Sequence, residues 1–351
     1  VVINKCFTVN NHKKNIFHYQ MRINKVIIWG HTLHDHTHSY IHNAFYRAFR
    51  HMGYDTYWFS TEGENNYSDQ SNPDNFENAL FIVHGLVSSK LPLNDTSIYI
   101  AHNVEFIGTN KKIPKKHEKY KIGEQKGIPV ANIVSLQVYT KQAETQSEEC
   151  FRKNTYYSKP PHSCIFMPWA TDLLPEEINT NVTNLEKFDV GNVSNFIGMP
   201  LAHHDEFRNE LKKYNIVYRN YGGTFNKNSD LNKTIEENMK LIQESIIAPA
   251  LQTQWQIDNG YIPCRIFKNI SYGKMGITNN RCVNELFDGK LIYSDNIAEL
   301  TKRGLAFEVT NPNKNQIVKD LMEYVRDNHT YINRINCILE YLKKYIIITI
   351  G

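Results

Sequence analysis

The chain has little of what marks a specialised protein class. Cysteine is scarce, with six in 351 residues. Cys6, Cys150, Cys164, Cys264, Cys282 and Cys337 are scattered and form no CxxC pair, which excludes a disulfide framework and a zinc ribbon. With no charged n-region leading into an apolar h-region, this usage reads as a reducing, cytoplasmic compartment. Twelve prolines and 17 glycines are too few for a collagenous or low-complexity chain. No apolar run approaches the ~20 residues that span a bilayer, so no transmembrane segment is expected. Charge of one sign is also missing. Forty Lys and Arg face 36 Asp and Glu, a net charge of +4. Such a balance suits a small anionic ligand and is too weak to argue for nucleic acid, so no nucleic-acid partner is expected.

What is present is an ordinary globular composition, 41% hydrophobic and 22% charged. The length exceeds one usual core and implies two domains. The first residue is Val, and the first Met is Met21, just ahead of a strand-like run. This fits a piece of a longer polypeptide, with residues 1–20 as linker or the edge of a preceding domain.

The apolar run 25–30 ends at Gly30 and reads as a buried parallel strand. Ile41, Phe45, Ala48 and Met52 then recur at helical spacing up to Gly53, with Ser39 as the expected N-cap. An aromatic strand at 54–59 completes a βαβ unit. Further strands are expected at 79–83, 97–101, 133–139 and 164–167. The lysines from Lys111 to Lys121 read as a solvated face. Acidic residues and Pro175 make 172–188 the expected linker. A second alternation follows, with strands at 193–199, 216–218, 245–248, 276–278 and 291–294 among helices at 204–214, 236–244, 263–273 and 280–287. Helical spacing returns at Ile317, Leu321 and Val325, and again at Ile332, Ile335, Leu339 and Leu342. The expected class is α/β: two doubly wound, Rossmann-like domains facing a central cleft, with residues 21–180 and 181–327 as the halves and 328–351 as a terminal helix.

In such sheets ligands bind beyond the carboxyl ends of the strands. In the stretch from Gly260 to Gly273, Ile266 and Ile270 face a core while Arg265, Lys268, Asn269 and Tyr272 share a polar face. Cations at a helix start run against the helix dipole, and a diphosphate there accepts from both the helix N–H groups and the cations. Gly198, and Tyr221 with Gly222 and Gly223, are expected backbone–phosphate loops. Asn279 and Asn280, after the strand ending at Thr278, are candidates for sugar or ribose hydroxyls, with helix capping as the plain alternative.

The segment from Tyr261 through Thr278 to Phe287 resembles the donor-sugar motif of GT-B glycosyltransferases. Arg265 and Phe267 match the Arg-x-Phe-Glu-Ala-x-x-x-Gly segment of CgeB-like, family 4-related proteins, with Lys268 where that pattern is acidic. Tyr261, Arg265 and Phe267 are similar to the Tyr-x-x-Glu-Lys-x-Phe segment of family 10 fucosyltransferases, with Cys264 in place of Glu and Arg265 in place of Lys. The resemblance implies a GT-B fold, a terminal helix crossing back to the first domain, and transfer of a sugar from a UDP- or GDP-sugar to a glycan or glycoconjugate hydroxyl. It further implies Arg265 and Lys268 on the leaving diphosphate with no metal or other cofactor required, and Tyr261, Asn269, Tyr272, Gly198, Tyr221, Gly222, Thr278, Asn279 and Asn280 around the donor.

The loop from Gly30 to His38 holds four histidines beyond His31's strand end: His31, His34, His36 and His38, with Asp35 among them. A histidine's pKa suits a general base. His36 is the expected base, with Asp35, His34 and His38 as neighbours in that role and His31, His102 and Glu105 on the acceptor side. The alternative is a zinc amidohydrolase-like barrel with His36, His38, His84 and His102 as ligands. A third reading is an inactive nucleotide- or carbohydrate-binding module.

Overall fold

A computed structural model describes residues 21–67, 70–84, 90–102, 132–139, 149–152, 155–158, 163–199, 203–222, 232–346 and 348–350. The expectations for residues 1–20, Glu105, the Lys111–Lys121 run and Gly223 fall outside these residues.

In the first half the strands are β1 (Met21–Ile23), β2 (Lys25–Gly30), β3 (Thr56–Ser60), β4 (Ala79–His84), β5 (Ile98–His102), β6 (Ile133–Gln137), β7 (Glu149–Arg152), β8 (Thr155–Ser158) and β9 (Ser163–Phe166). Eight of them form one sheet in the order β3-β2-β4-β5-β6-β9-β8-β7. The six from β3 to β9 are parallel, and β8 and β7 turn antiparallel at the end. Ile27, Ile28, Phe81, Ile82, Tyr99 and Ile100 are fully buried, the near-continuous apolar reading of strands covered on both faces. An open sheet of this order is not a β/α barrel, so the amidohydrolase architecture is not met: β3 and β7 close the two ends of the row without pairing to each other.

Helix α1 (Ser39–His51) follows β2. His38, not Ser39, holds its N-cap position, and no side chain caps it there. Ser39 Oγ instead accepts from the His34 N–H at 3.1 Å, tying down the loop. The reason is geometric: the loop needs its own hydrogen bond where His34 takes a left-handed φ of 72°.

After a short helix α2 (Val182–Leu185) the second half runs β10 (Val193–Ile197), α3 (His203–Lys213), β11 (Val217–Tyr221), α4 (Ile235–Glu244), α5 (Gln254–Asp258), α6 (Cys264–Ser271), β12 (Ile277–Thr278), α7 (Arg281–Leu286), β13 (Ile292–Tyr293), α8 (Ile297–Thr310) and α9 (Lys314–Asn328). Strands β10 and β11 pair in parallel, as do β12 and β13. The strand expected at 245–248 is an extended connection instead. Ile246 N–H donates to Val193 O and Ala250 N–H to Ile277 O, so the segment joins the two strand pairs, while Ser194 Oγ takes the Ile247 carbonyl and interrupts the ladder. One core gathers Phe207, Leu211, Ile266, Phe267, Ile270, Val283 and Val325.

Helix α10 (Tyr331–Tyr345) returns to the first half and packs on α1. Tyr331, Ile335, Ile338 and Leu342 join the core of Phe45, Phe49, Ile28 and Ile82. Arg334 fastens the crossing by donating to Pro168 O at 2.8 Å, Trp169 O at 3.0 Å and His329 Nδ1 at 2.9 Å. The last strand, β14 (Ile348–Ile350), pairs in parallel with β1. No helix among the described residues is long and apolar enough to cross a membrane.

Candidate active site

Between the halves lies a cleft of about 400 Å³, walled by His38, Tyr40 and Tyr139 on one side and by Gly198, Gly222, Arg265 and Lys268 on the other. Helix α6 sets the second wall. Ile266, Phe267 and Ile270 are buried in the core, so helical spacing turns Arg265, Lys268 and Tyr272 toward the opening.

Arg265 is held by its aromatic floor and a carbonyl. Its Nε donates to Ile197 O at 3.2 Å and its guanidinium carbon stands 3.9 Å from the Phe196 ring centroid. Burial lowers its pKa, with Cys264 and Tyr261 pulling the other way. Among the described residues no carboxylate pairs with it. Gly198 makes the space: its φ is +124°, and a Cβ there would lie 2.8 Å from the Arg265 Nη2. Gly222, with φ +77°, lies against Gly198, whose N–H donates to Tyr221 O at 2.7 Å. Two glycine turns and a guanidinium that meets no carboxylate among the described residues thus converge on one spot, an arrangement suited to an anion.

Lys268 is different. Its Nζ lies 2.7 Å from Asp172 Oδ2, and Tyr272 Oη donates to Asp172 Oδ1 at 2.7 Å. Burial works to lower the Lys268 pKa, yet the Asp172 carboxylate outweighs it and the net shift is upward. Among the described residues, then, Lys268 is neutralised by a carboxylate and Arg265 is not. In the sequence Asp172 reads as the start of the expected linker, and nothing local marks it as a partner of Lys268.

Other expected donor contacts are spent inside the fold. Asn269 Nδ2 donates to Ala248 O, although Asn269 still borders the cleft. Asn279 accepts from Gln252 N–H and donates back to Gln252 O. Asn280 caps α7 through Cys282 N–H and donates to Gln252 Oε1. Thr278 Oγ1 accepts from Asn280 N–H. The structure places Thr278, Asn279 and Asn280 in this buried network and not on the cleft wall. Tyr261 lines the cleft and bridges to Tyr139 across it.

On the first wall the histidines converge. His31 stacks on His36 with centroids 4.2 Å apart and contacts His84 Nδ1 at 3.1 Å. His38 Nδ1 lies 3.1 Å from His36 Nδ1, and buried His42 Nε2 lies 2.7 Å from His102 Nε2. Desolvation, then the neighbouring imidazoles, pushes His38 down to about 3 and His31 down to about 4. Burial also lowers His36 and His34. His38, not His36, is the imidazole that lines the cleft. His34 points to Tyr40 Oη at 3.0 Å, and Asp35 acts on His31 and His34 through its charge. His102 is buried beneath this layer.

No protein-family model matches the sequence, and no curated protein matches it. Solved structures do match it in shape. One is an alpha-glucosyltransferase in complex with UDP and a 13-mer DNA containing a central A:G mismatch, at 10% identity, covering 93% of this chain and 99% of that one with a TM-score of 0.50. Another is an alpha-glucosyltransferase in complex with UDP, at 10% identity, 93% and 99% coverage and a TM-score of 0.49. A third is an alpha-glucosyltransferase with UDP and a 13-mer DNA containing an HMU base, at 11% identity, 93% and 99% coverage and a TM-score of 0.46. One expectation is corrected by these findings. The weak net charge leads to the expectation of no nucleic-acid partner, yet the first of these structures holds DNA, so that expectation does not stand. Two facing α/β halves, a cleft between them and a terminal helix crossing back give this chain the GT-B fold of glycosyltransferases.

Proposed function

We propose that this chain is a glycosyltransferase that moves a sugar from a nucleoside-diphosphate sugar to a hydroxyl acceptor. The observation that carries the reading is Arg265, a cation without a carboxylate partner among the described residues, set between the turns at Gly198 and Gly222. As the acceptor oxygen bonds to the anomeric carbon, the bond from that carbon to the diphosphate breaks and negative charge grows on the leaving group. Arg265, set beside the glycine turns, supplies positive charge where that charge develops. Lys268, already paired with Asp172, adds a polar contact more than a free charge.

Residues 21–180 form the acceptor half and 181–327 the donor half. The motif around Arg265 and Phe267 favours kinship with CgeB-like, family 4-related enzymes. UDP is the favoured nucleotide, because the fold neighbour holds UDP. The acceptor hydroxyl sits on the first wall, beside the histidine-lined end that His38 brings to the cleft. A glycan, a glycoconjugate or a hydroxylated DNA base all present such a hydroxyl.

A thermal-shift panel of UDP, GDP, dTDP and CMP tests the donor site, since a ligand bound only by the folded state raises its melting temperature. Stabilisation by UDP above the others is expected. Release of UDP from UDP-glucose, with label appearing in glycan or hydroxymethylated DNA acceptors, then tests transfer. No stabilisation by any nucleotide diphosphate would overturn the reading.

A further inference from the structure

Six imidazoles meet at the carboxyl end of the first sheet: His31, His36, His38, His42, His84 and His102. The topology brings them together. Residues His84 and His102 end neighbouring strands and are direct register partners. His31 follows the end of β2, and the start of α1 lowers His38 and His42 onto the same spot. Gly30 makes room for this, because a Cβ there would lie 2.0 Å from the His42 ring.

The hydrogen bonds within the group leave one nitrogen over. The His31 backbone N–H donates to His42 Nδ1 at 3.0 Å, and His42 Nε2 lies 2.7 Å from His102 Nε2. The other ring nitrogen of His102, Nδ1, is buried and has no hydrogen-bond partner among the described residues. A bound cation gives that nitrogen a partner.

We propose that His38, His84 and His102 bind one divalent transition-metal ion of the zinc class. Their ligand nitrogens already lie within 4.8 Å of one another. Tetrahedral zinc with bonds of about 2.0–2.1 Å sets such nitrogens roughly 3.3 Å apart, so small side-chain rotations close the set. On binding, each neutral imidazole gives the ion the lone pair of its unprotonated nitrogen, so metal–nitrogen bonds form and no N–H bond has to break. His42 Nε2, 2.7 Å from His102 Nε2, fixes the orientation of the ligand ring. Three imidazoles select zinc, cobalt or nickel over magnesium or calcium. Three ligands also leave coordination open, and His38 sets the ion beside the cleft. The site stands on the histidine geometry alone and is independent of the transferase reading.

Untagged, chelator-stripped protein titrated with Co²⁺ tests this directly. Tetrahedral Co²⁺ has strong visible absorption that solvated Co²⁺ lacks. One ion per chain is expected, displaced by Zn²⁺. His84→Ala should weaken binding more than tenfold, His42→Gln by about 10–100-fold, and surface His203→Ala not at all. Absence of stoichiometric binding in the wild-type protein, or binding indifferent to His84→Ala, overturns the site. The wild-type titration gives that answer even if a variant fails to fold.

Discussion

The Lys268 ammonium stands 2.7 Å from the Asp172 carboxylate, so the helix bearing the donor motif is tied to the segment that leaves the first half. Tyr272 grips the other oxygen of the same carboxylate. Removing Asp172 strands an ammonium that is only 20% exposed and leaves the Tyr272 hydroxyl without its acceptor. A fully buried pair loses about 3–5 kcal/mol when one partner goes, and the residual exposure of Lys268 brings the expectation to about 2 kcal/mol. A urea titration of Asp172→Ala measures it. An unchanged midpoint would show that the pair is an idle contact.

Gly198→Ala should damage the nucleotide site with little damage to the fold. A side chain at φ +124° is strained, and its Cβ would collide with the Arg265 guanidinium. Loss of one charge-assisted hydrogen bond costs about 1.5–3 kcal/mol, so UDP affinity should fall by about tenfold or more by calorimetry. Gly289→Ala is the control, since its φ of +75° carries similar backbone strain in open space. Equal loss of affinity in both variants would remove Gly198 from the site.

Asn280→Ala should lower stability and spare the donor site. The change deletes an N-cap contact to Cys282 N–H and the bond to Gln252. The cap alone is worth about 0.5–2 kcal/mol. Calorimetric UDP binding measured below the melting transition should match wild type. A selective loss of binding with full stability would return Asn280 to the donor contacts.

Acid should weaken the second half through His204. Burial first, then Arg265, Arg208 and His203, lowers this imidazole to about 3, while Tyr218 Oη contacts its Nδ1 at 2.7 Å. The unfolded chain takes up a proton near pH 6.5 and the folded chain does not. Stability from this residue is therefore complete above pH 6.5 and is lost as pH falls from there toward 3. His204→Gln keeps a polar partner for Tyr218 and cannot titrate. Its stability should lose about one proton's worth of pH dependence over that window. Parallel wild-type and variant curves in chemical unfolding would refute the assignment.

Much of the fold is legible because local pattern dictates it. The runs at Ile27–Ile28, Phe81–Ile82 and Tyr99–Ile100 are apolar on both faces, which marks buried parallel strands. The helix bearing Arg265 is visible from Ile266 and Ile270 on one face. What escapes is non-local. Nothing near Asp172 in the chain says that Lys268 meets it 96 positions later. The convergence of His84 and His102 depends on strand register, which no spacing within either strand encodes. Asn279 and Asn280 mislead for the opposite reason. Local capping chemistry and ligand chemistry ask for the same side chain, and only Gln252 on the far side of the network separates them.

The return of α10 across the molecule has a consequence for biosynthesis. Tyr331, Ile335, Ile338 and Leu342 fill a core whose earlier members run from Ile23 to Ala170, and Arg334 locks carbonyls of Pro168 and Trp169. During translation the first sheet leaves the ribosome with one side of α1 uncovered, and it stays so while the whole second half is made. Its closing piece arrives only with α10. A chain interrupted before α10 thus yields an apolar surface awaiting its cover where a finished first domain would otherwise stand.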